Sequence, residues 1–448
     1  MQGIGLIIIF VLSMVYLLVT IIKFKMNPFF SMITASLLVG VAVGMDLPVV
    51  VSSVTGGFGN VLGSLGIVVA LGALLGALLA EAGATDSLAN GMLNVVGDKK
   101  APLAMNLTGF VISIPVYMGS AYIILNPLLR VLSRKTKKQV QTYITALVVG
   151  LLVTHCLVIP TPGPLAVSST LGLNVGWFIL YAVIISLPAS LLGGWIYGEF
   201  IGKYCENPEY NEADTYVQTD DKGAPAGLAF GIIALPIVII LLGTIIPMVI
   251  TAAPVVSFCS FLTAGSGVVA LLISVVVAII TLKPYINKPL SAMIKKTFDE
   301  QGEMFLILGA GGSFGAIISA SGIGDYIVSV LSSANISVLI LAFVLCLLLK
   351  ASLGSSAVAL VTTASILGPI AAQLGAQPIL LGLAICAGGL GLPLPTDGAF
   401  WLVQKLDNLS VKDTFLTYTV GSTIACAVAF GLVMILNIFA GVLPGLAM

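Results

Sequence analysis

Residues 99–138, KKAPLAMNLTGFVISIPVYMGSAYIILNPLLRVLSRKTKK, decide how the chain folds. An apolar stretch opens after Lys99 and Lys100 and closes at Arg130, Arg134, Lys135, Lys137 and Lys138. Cationic flanks mark the cytoplasmic ends of membrane segments. Both ends of this segment therefore lie on one side, and residues 101–138 are predicted to be a re-entrant hairpin that turns inside the bilayer at Gly119-Ser120.

The rest of the chain places that hairpin in lipid. Of 448 residues, 59% are apolar and only 8% charged, too few to cover a soluble surface of this size. Runs such as Gly3–Ile22, Pro28–Met45, Ala226–Ile250 and Ser257–Leu282 are long enough to cross ~30 Å of hydrocarbon. The first run lacks a basic leader and a small-residue cleavage site and reads as a first span. The six cysteines stand singly, with no CxxC and no histidine at ligand spacing, so neither a metal site nor a cofactor is expected. Nothing in the charge balance points to nucleic acid.

Residues 205–222 carry six of the eighteen acidic residues and divide the chain nearly in half. The halves repeat. Gly76-Ala77, Gly83 and Asp86 recur with the same internal spacing as Gly315-Ala316, Gly322 and Asp325. Gly119-Ser120 precedes Pro160-Thr161 by the same interval at which Gly354-Ser355 precedes Pro395-Thr396. The chain is thus expected to hold a first repeat at 1–204, an acidic cytoplasmic linker at 205–225 and a second repeat at 226–448. Each repeat has five spans and one hairpin (101–138 and 334–374), and one of its spans is broken (141–173 and 377–408). Segments 48–62 and 286–302 look too polar to span and read as interfacial helices.

An outside N-terminus places all eighteen Lys and Arg residues on the cytoplasmic side except Lys350. Five spans is an odd number, so the second repeat starts on the opposite side and is inverted. The predicted fold is an all-α integral membrane protein of two inverted repeats with broken helices at the midplane. This is the architecture of transporters with alternating gates.

Irregular backbone at membrane depth survives only where protein or water satisfies it, so hairpin tips and breaks are candidate cavity walls. At the tips, Gly119, Ser120, Gly354, Ser355 and Ser356 offer hydroxyls and helix N-termini suited to an anion. Asn126 on the returning arm is placed to reach substrate. At the breaks, Thr161, Gly163 and Thr396 lie among prolines that free backbone carbonyls. Lys350 and Asp397 are charges inside apolar segments, each costly unless paired or solvated. Lys350 is read as the partner of a substrate carboxylate, and Asp397 as a substrate ligand or the carrier of a coupling proton. A structural ion pair between them is the alternative. His155 is a second candidate for proton coupling.

Other classes fit less well. Gly322-Ile323-Gly324-Asp325 matches the GxGD string of intramembrane aspartyl proteases, but it lacks a second aspartate in context. Ser313 in GAGGSFG has the chain's one histidine in the other half. A channel would need a continuous polar line or rings of charge. No enzyme is expected.

At three segments the chain resembles the gluconate permease (Gnt) family of bacterial symporters. These are Lys350-Ala-Ser-Leu-Gly354-Ser355-Ser356-Ala357-Val358-Ala359, Pro160-Thr161-Pro162-Gly163-Pro164 and Asp397-Gly398-Ala399-Phe400-Trp401-Leu402-Val403. The resemblance implies a multi-pass protein of the bacterial inner membrane, surrounded by lipid and often dimeric. In such a protein a hairpin-bearing domain moves like an elevator while a small organic anion enters by symport with protons. A gluconate-like sugar acid or related hydroxy acid is the implied substrate; sodium coupling, or an amino acid as cargo, is the alternative. This chain has Thr161 where members commonly carry His, and Leu394-Pro395-Thr396 in place of a His-Val-Asn-like stretch. Those departures point to a smaller or less hydroxylated acid.

Overall fold

The computed structural model describes residues 4–24, 26–97, 100–205, 223–323, 337–371, 377–395 and 397–446, and among these the regular structure is entirely helical. The first half runs α1 (Ile4–Leu18), α2 (Pro28–Val43), α3 (Leu47–Glu81), α4 (Ala84–Val96), α5 (Ala101–Ile112), α6 (Met118–Thr136), α7 (Val140–Leu157) and α8 (Pro162–Thr170). It closes with α9 (Val175–Tyr204). The second half follows the same order with α10 (Ala226–Val249), α11 (Ala253–Leu282), α12 (Leu290–Ala320), α13 (Val338–Leu353), α14 (Ser356–Ala371), α15 (Pro378–Gly388) and α16 (Gly398–Leu406). It ends with α17 (Val411–Ile438). The predicted counterpart of α4, with Asp325, lies outside the described residues, as do residues 206–222 of the acidic linker.

Corresponding helices of the two halves meet each other. A Cβ on Gly57 of α3 would come within 2.4 Å of the Gly312 carbonyl of α12, and one on Gly312 would meet Gly57 equally closely. A Cβ on Gly193 of α9 would lie 2.5 Å from the Gly421 carbonyl of α17, and Gly421 approaches Gly193 in return. Only glycine permits backbones to pass this closely, the usual device of helix packing in lipid. Each crossing joins a helix of the first half to a helix of the second. In the same reciprocal way, α2 packs on α12 and α11 packs on α3. The π turns inside α9 (Leu191–Ile196) and α17 (Phe415–Val420) border the second crossing.

Two sequence expectations need correction. Residues 48–62 are not a separate interfacial helix. They are the first half of α3, which runs to Glu81 with a 41° bend near residues 63–66. Residues 290–302 likewise continue into α12. Within residues 48–62 the polar groups are satisfied along their own helix or by bonds from α12. Thr55 Oγ1 donates to the Val51 carbonyl at 3.0 Å, and Ser313 Oγ donates to the Val54 carbonyl at 2.8 Å, which also gives Ser313 a structural role.

The second correction concerns the first hairpin, whose turn falls at 113–117 rather than at Gly119-Ser120. Pro115, which has no N–H, lies in that turn, and Tyr117 becomes the N-cap of α6. Gly119 and Ser120 therefore sit in the first turn of α6. In the second hairpin the predicted bend is where it was expected: Gly354 takes the left-handed conformation at φ 71°, and α14 begins at Ser356.

At the centre lies α7, every residue of which is buried, as is every residue of α15 after Pro378. A helix apolar all round belongs inside a bundle. Pro162 opens α8 after the first break, and Asp397 caps α16 after the second. The two hairpins and two broken spans pack on one another, with α5 against α7, α13 against α15 and α14 against α8.

Candidate functional site

Lys350 projects from the last turn of α13, four residues before the tip. Its Nζ lies 2.5 Å from Asp397 Oδ2 and donates to the Gly354 carbonyl at 3.3 Å. Tyr418 OH of α17 donates to the same carboxylate oxygen at 3.2 Å, while Asp397 Oδ1 accepts the Ala399 N–H at 2.8 Å. That last bond caps α16 and turns its positive end toward the carboxylate. Lys350 is 1% exposed and Asp397 6%. Two charges buried so deeply hold only as a hydrogen-bonded pair, and removing one partner from such a pair costs about 3–5 kcal/mol.

The pair borders a cavity of about 380 Å³. Both hairpins reach this cavity, the first through Tyr117 and Gly119, the second through Ser355 and Ser356; His155 of α7 and Tyr418 complete the polar lining. The Tyr117 and His155 rings meet edge to face at 5.4 Å, and His155 Nδ1 is buried with no hydrogen-bond partner among the described residues. An adjoining cavity of about 410 Å³ shares Tyr117 and Ser355 and brings in Ser120. Thr161 lines a third, small pocket with Tyr117 and His155.

Seven of the sequence candidates thus face one space: Gly119, His155, Lys350, Gly354, Ser355, Ser356 and Asp397. Ser120 and Thr161 face its neighbours. Gly163 has a packing role, since a Cβ there would meet Leu360 of α14 at 2.5 Å. Thr396 lies outside the described residues. The breaks offer fewer free groups than their prolines suggest. Thr161 donates to the Val158 carbonyl, and Thr419 of α17 donates to that of Pro393, both at 2.5 Å.

Asn126 is not part of the cavity. Its Nδ2 donates to Asp407 Oδ1 at 2.7 Å, and Tyr122 OH donates to Asp407 Oδ2 at 2.5 Å. Arg130 reaches the neighbouring Leu406 carbonyl. Tyr122, Asn126 and Arg130 recur every fourth residue on one face of α6, so a polar stripe of the first hairpin grips the end of α16. Asp407 itself is fully buried. A carboxylate at a helix C-terminus opposes the helix dipole, which leaves these donors to hold it there. The sequence reading missed Asp407, Tyr117 and Tyr418. The stripe on α6 was the signal for the first of them.

Among the described residues, six helices or broken helices are long and apolar enough to cross a membrane, and the bent α3 is a seventh. Together with a mixed-charge cavity walled by hairpin tips and helix breaks, they define a multi-pass membrane protein of the transporter class. The chain belongs to the GntP permease family, whose sequence model matches residues 5–439. It is 30% identical to the gluconate permease of Pseudomonas aeruginosa, over 95% of this chain and 96% of that one. It is 32% identical to the inner membrane permease YgbN of Escherichia coli, over 95% and 96%. The D-serine transporter DsdX of E. coli matches at 30% over 93% and 95%. In fold the chain resembles the crystal structure of the YdaH transporter of Alcanivorax borkumensis, with a TM-score of 0.71 and 14% identity over 92% of this chain and 99% of that one.

Proposed function

We propose that this permease imports a small organic acid with protons, and that the Lys350–Asp397 pair couples the two. The observation that carries this reading is that Lys350, a buried cation beside the cavity, is already neutralised by Asp397. A substrate carboxylate that reaches Lys350 must compete with Asp397 for one ammonium group. A proton on Asp397 ends that competition, and a bound anion in turn favours the protonated aspartate. Proton and substrate therefore bind with positive linkage, and linkage is reciprocal. Ser355 and Ser356 at the tip supply further donors, and His155 beside the cavity offers a relay for the proton.

The inverted topology belongs to the same proposal, with repeats at 1–204 and 226–448. Contacts between chain ends support it. Lys288 pairs with Glu81 at 2.8 Å and Lys138 with Glu199, all four on the expected cytoplasmic side. Gln377 donates to the Gly445 carbonyl at 3.2 Å and Tyr181 to that of Pro444 at 2.6 Å, all on the expected outer side. In this reading the hairpins and broken spans move together against the remaining helices, and a second copy of the chain steadies the scaffold within the lipid. A sodium-coupled variant would draw on oxygen ligands at the breaks. Several of those oxygens already hold hydrogen bonds, which favours the proton.

Proteoliposomes with separately imposed gradients test the coupling. An inward proton gradient is expected to drive accumulation of gluconate, and a sodium gradient alone to leave uptake at its equilibrium level. Accumulation driven by sodium at equal pH would refute proton coupling.

A further inference from the structure

The cavity of about 410 Å³ beside the ion-pair cavity differs from it in charge, a lone carboxylate standing where the first has a neutralised pair. It shares Tyr117 and Ser355 with the first, and its far wall is α12, which contributes Gln301 and Glu303 opposite Ser120 of the first hairpin. Glu303 is the one carboxylate among its described lining residues, and no Lys or Arg lines it. Asn27, the N-cap of α2, holds Glu303 Oε1 at 2.6 Å. Gln301 also borders the pocket beside Thr161 and His155.

This contrast orients a ligand. A carboxylate is drawn to Lys350 and repelled by Glu303, so the remainder of an acid held at Lys350 extends past Tyr117 toward α12. The groups it meets there are a carboxylate, an amide and a hydroxyl. Vicinal hydroxyls satisfy all three, since each donates to Glu303 and both donates to and accepts from Gln301 and Ser120. We propose that Gln301, Glu303 and Ser120 form a subsite that reads the hydroxylated chain of a sugar acid. The inference rests on the carboxylate site at Lys350 and names the substrate class of that site. It reverses the expectation of a smaller or less hydroxylated acid, because the polar groups missing at the breaks are replaced from α12, where no motif drew attention to them.

The test is binding of a series that shares one carboxylate and gains hydroxyls, lactate, glycerate and gluconate, to the purified full-length protein by calorimetry. Gluconate is expected to bind at least about tenfold more tightly than lactate, since hydrogen bonds to charged or paired polar groups supply that much discrimination. Gln301→Ala and Glu303→Ala should each remove most of that preference, while lactate still binds, no more weakly than before in Glu303→Ala where a repelling charge is gone; retained lactate binding also reports an intact fold. Glu303→Leu, which keeps the bulk and removes both acceptor oxygens, takes the place of Glu303→Ala should the latter not fold, with the same expected loss of preference. Equal affinity for lactate and gluconate in the unaltered protein, or a gluconate preference that survives both substitutions, would overturn the subsite. So would D-serine binding more tightly than gluconate with a loss confined to D-serine on changing Glu303, since the wall would then read an ammonium group. If no acid binds at all, the carboxylate site itself has failed, and the subsite falls with it.

Discussion

Replacing Lys350 by Gln abolishes concentrative uptake and weakens substrate binding by at least about 100-fold, the loss expected when one member of a buried hydrogen-bonded charge pair is truncated. Two effects add. The substrate carboxylate loses its ammonium partner, and Asp397, 6% exposed, is left without its cation between α13 and α16. The second effect separates from the first in a double variant. Lys350→Gln with Asp397→Asn removes both charges, so it should unfold at a higher temperature than Lys350→Gln alone while remaining unable to bind. Neighbours that share a bond are non-additive in this way. Binding retained within a few-fold by Lys350→Gln would show that the lysine serves the fold alone.

The second large effect lies away from the cavity. Asp407→Ala leaves Tyr122 OH and Asn126 Nδ2 without their shared acceptor in a fully buried setting. Breaking a buried charged network from one side costs about 3–5 kcal/mol. Tyr122→Phe removes a single hydrogen bond to a charged group and should cost about 1.5–3 kcal/mol. Thermal unfolding in detergent should therefore rank the unaltered protein above Tyr122→Phe and Tyr122→Phe above Asp407→Ala. Equal melting temperatures for all three would remove the stripe on α6 as the element that binds the first hairpin to α16.

Most of the architecture was legible because it rests on charge and spacing. The apolar runs announced an all-helical membrane chain, and the stretch between the cationic flanks of residues 101–138 is the helix pair α5 and α6 joined by a tight turn. Lys350 and Asp397 stood out for the cost of a charge in lipid, and the structure brings them together.

What was not legible depends on partners far away in sequence. Asn126 looked like a cavity residue because the stripe on α6 signals only a polar partner, and that partner, Asp407, lies 281 residues later. Asp407 itself sits in Asp-Asn-Leu-Ser, which reads as an ordinary polar turn. Residues 48–62 seemed too polar for a span because hydropathy counts a Ser or Thr hydroxyl as unsatisfied, whereas Thr55 bonds its own helix. Tyr117 was overlooked because a glycine attracts the eye as the turn, although Pro115 is where this hairpin bends. Gln301 was assigned to an interfacial helix and Glu303 fell just beyond it, so neither was considered beside the substrate.

The central claim is that a proton on Asp397 frees Lys350 for the substrate, and it can be measured without transport. Detergent-solubilised protein is titrated with gluconate at several pH values, and proton exchange is followed from the dependence of binding heat on buffer ionisation. The expected result is affinity that rises as pH falls, with about one proton taken up per substrate bound, and in Asp397→Asn, affinity that ignores pH with no proton taken up. Proton uptake that persists in Asp397→Asn, or substrate binding to the unaltered protein with no proton uptake at any pH, would contradict it.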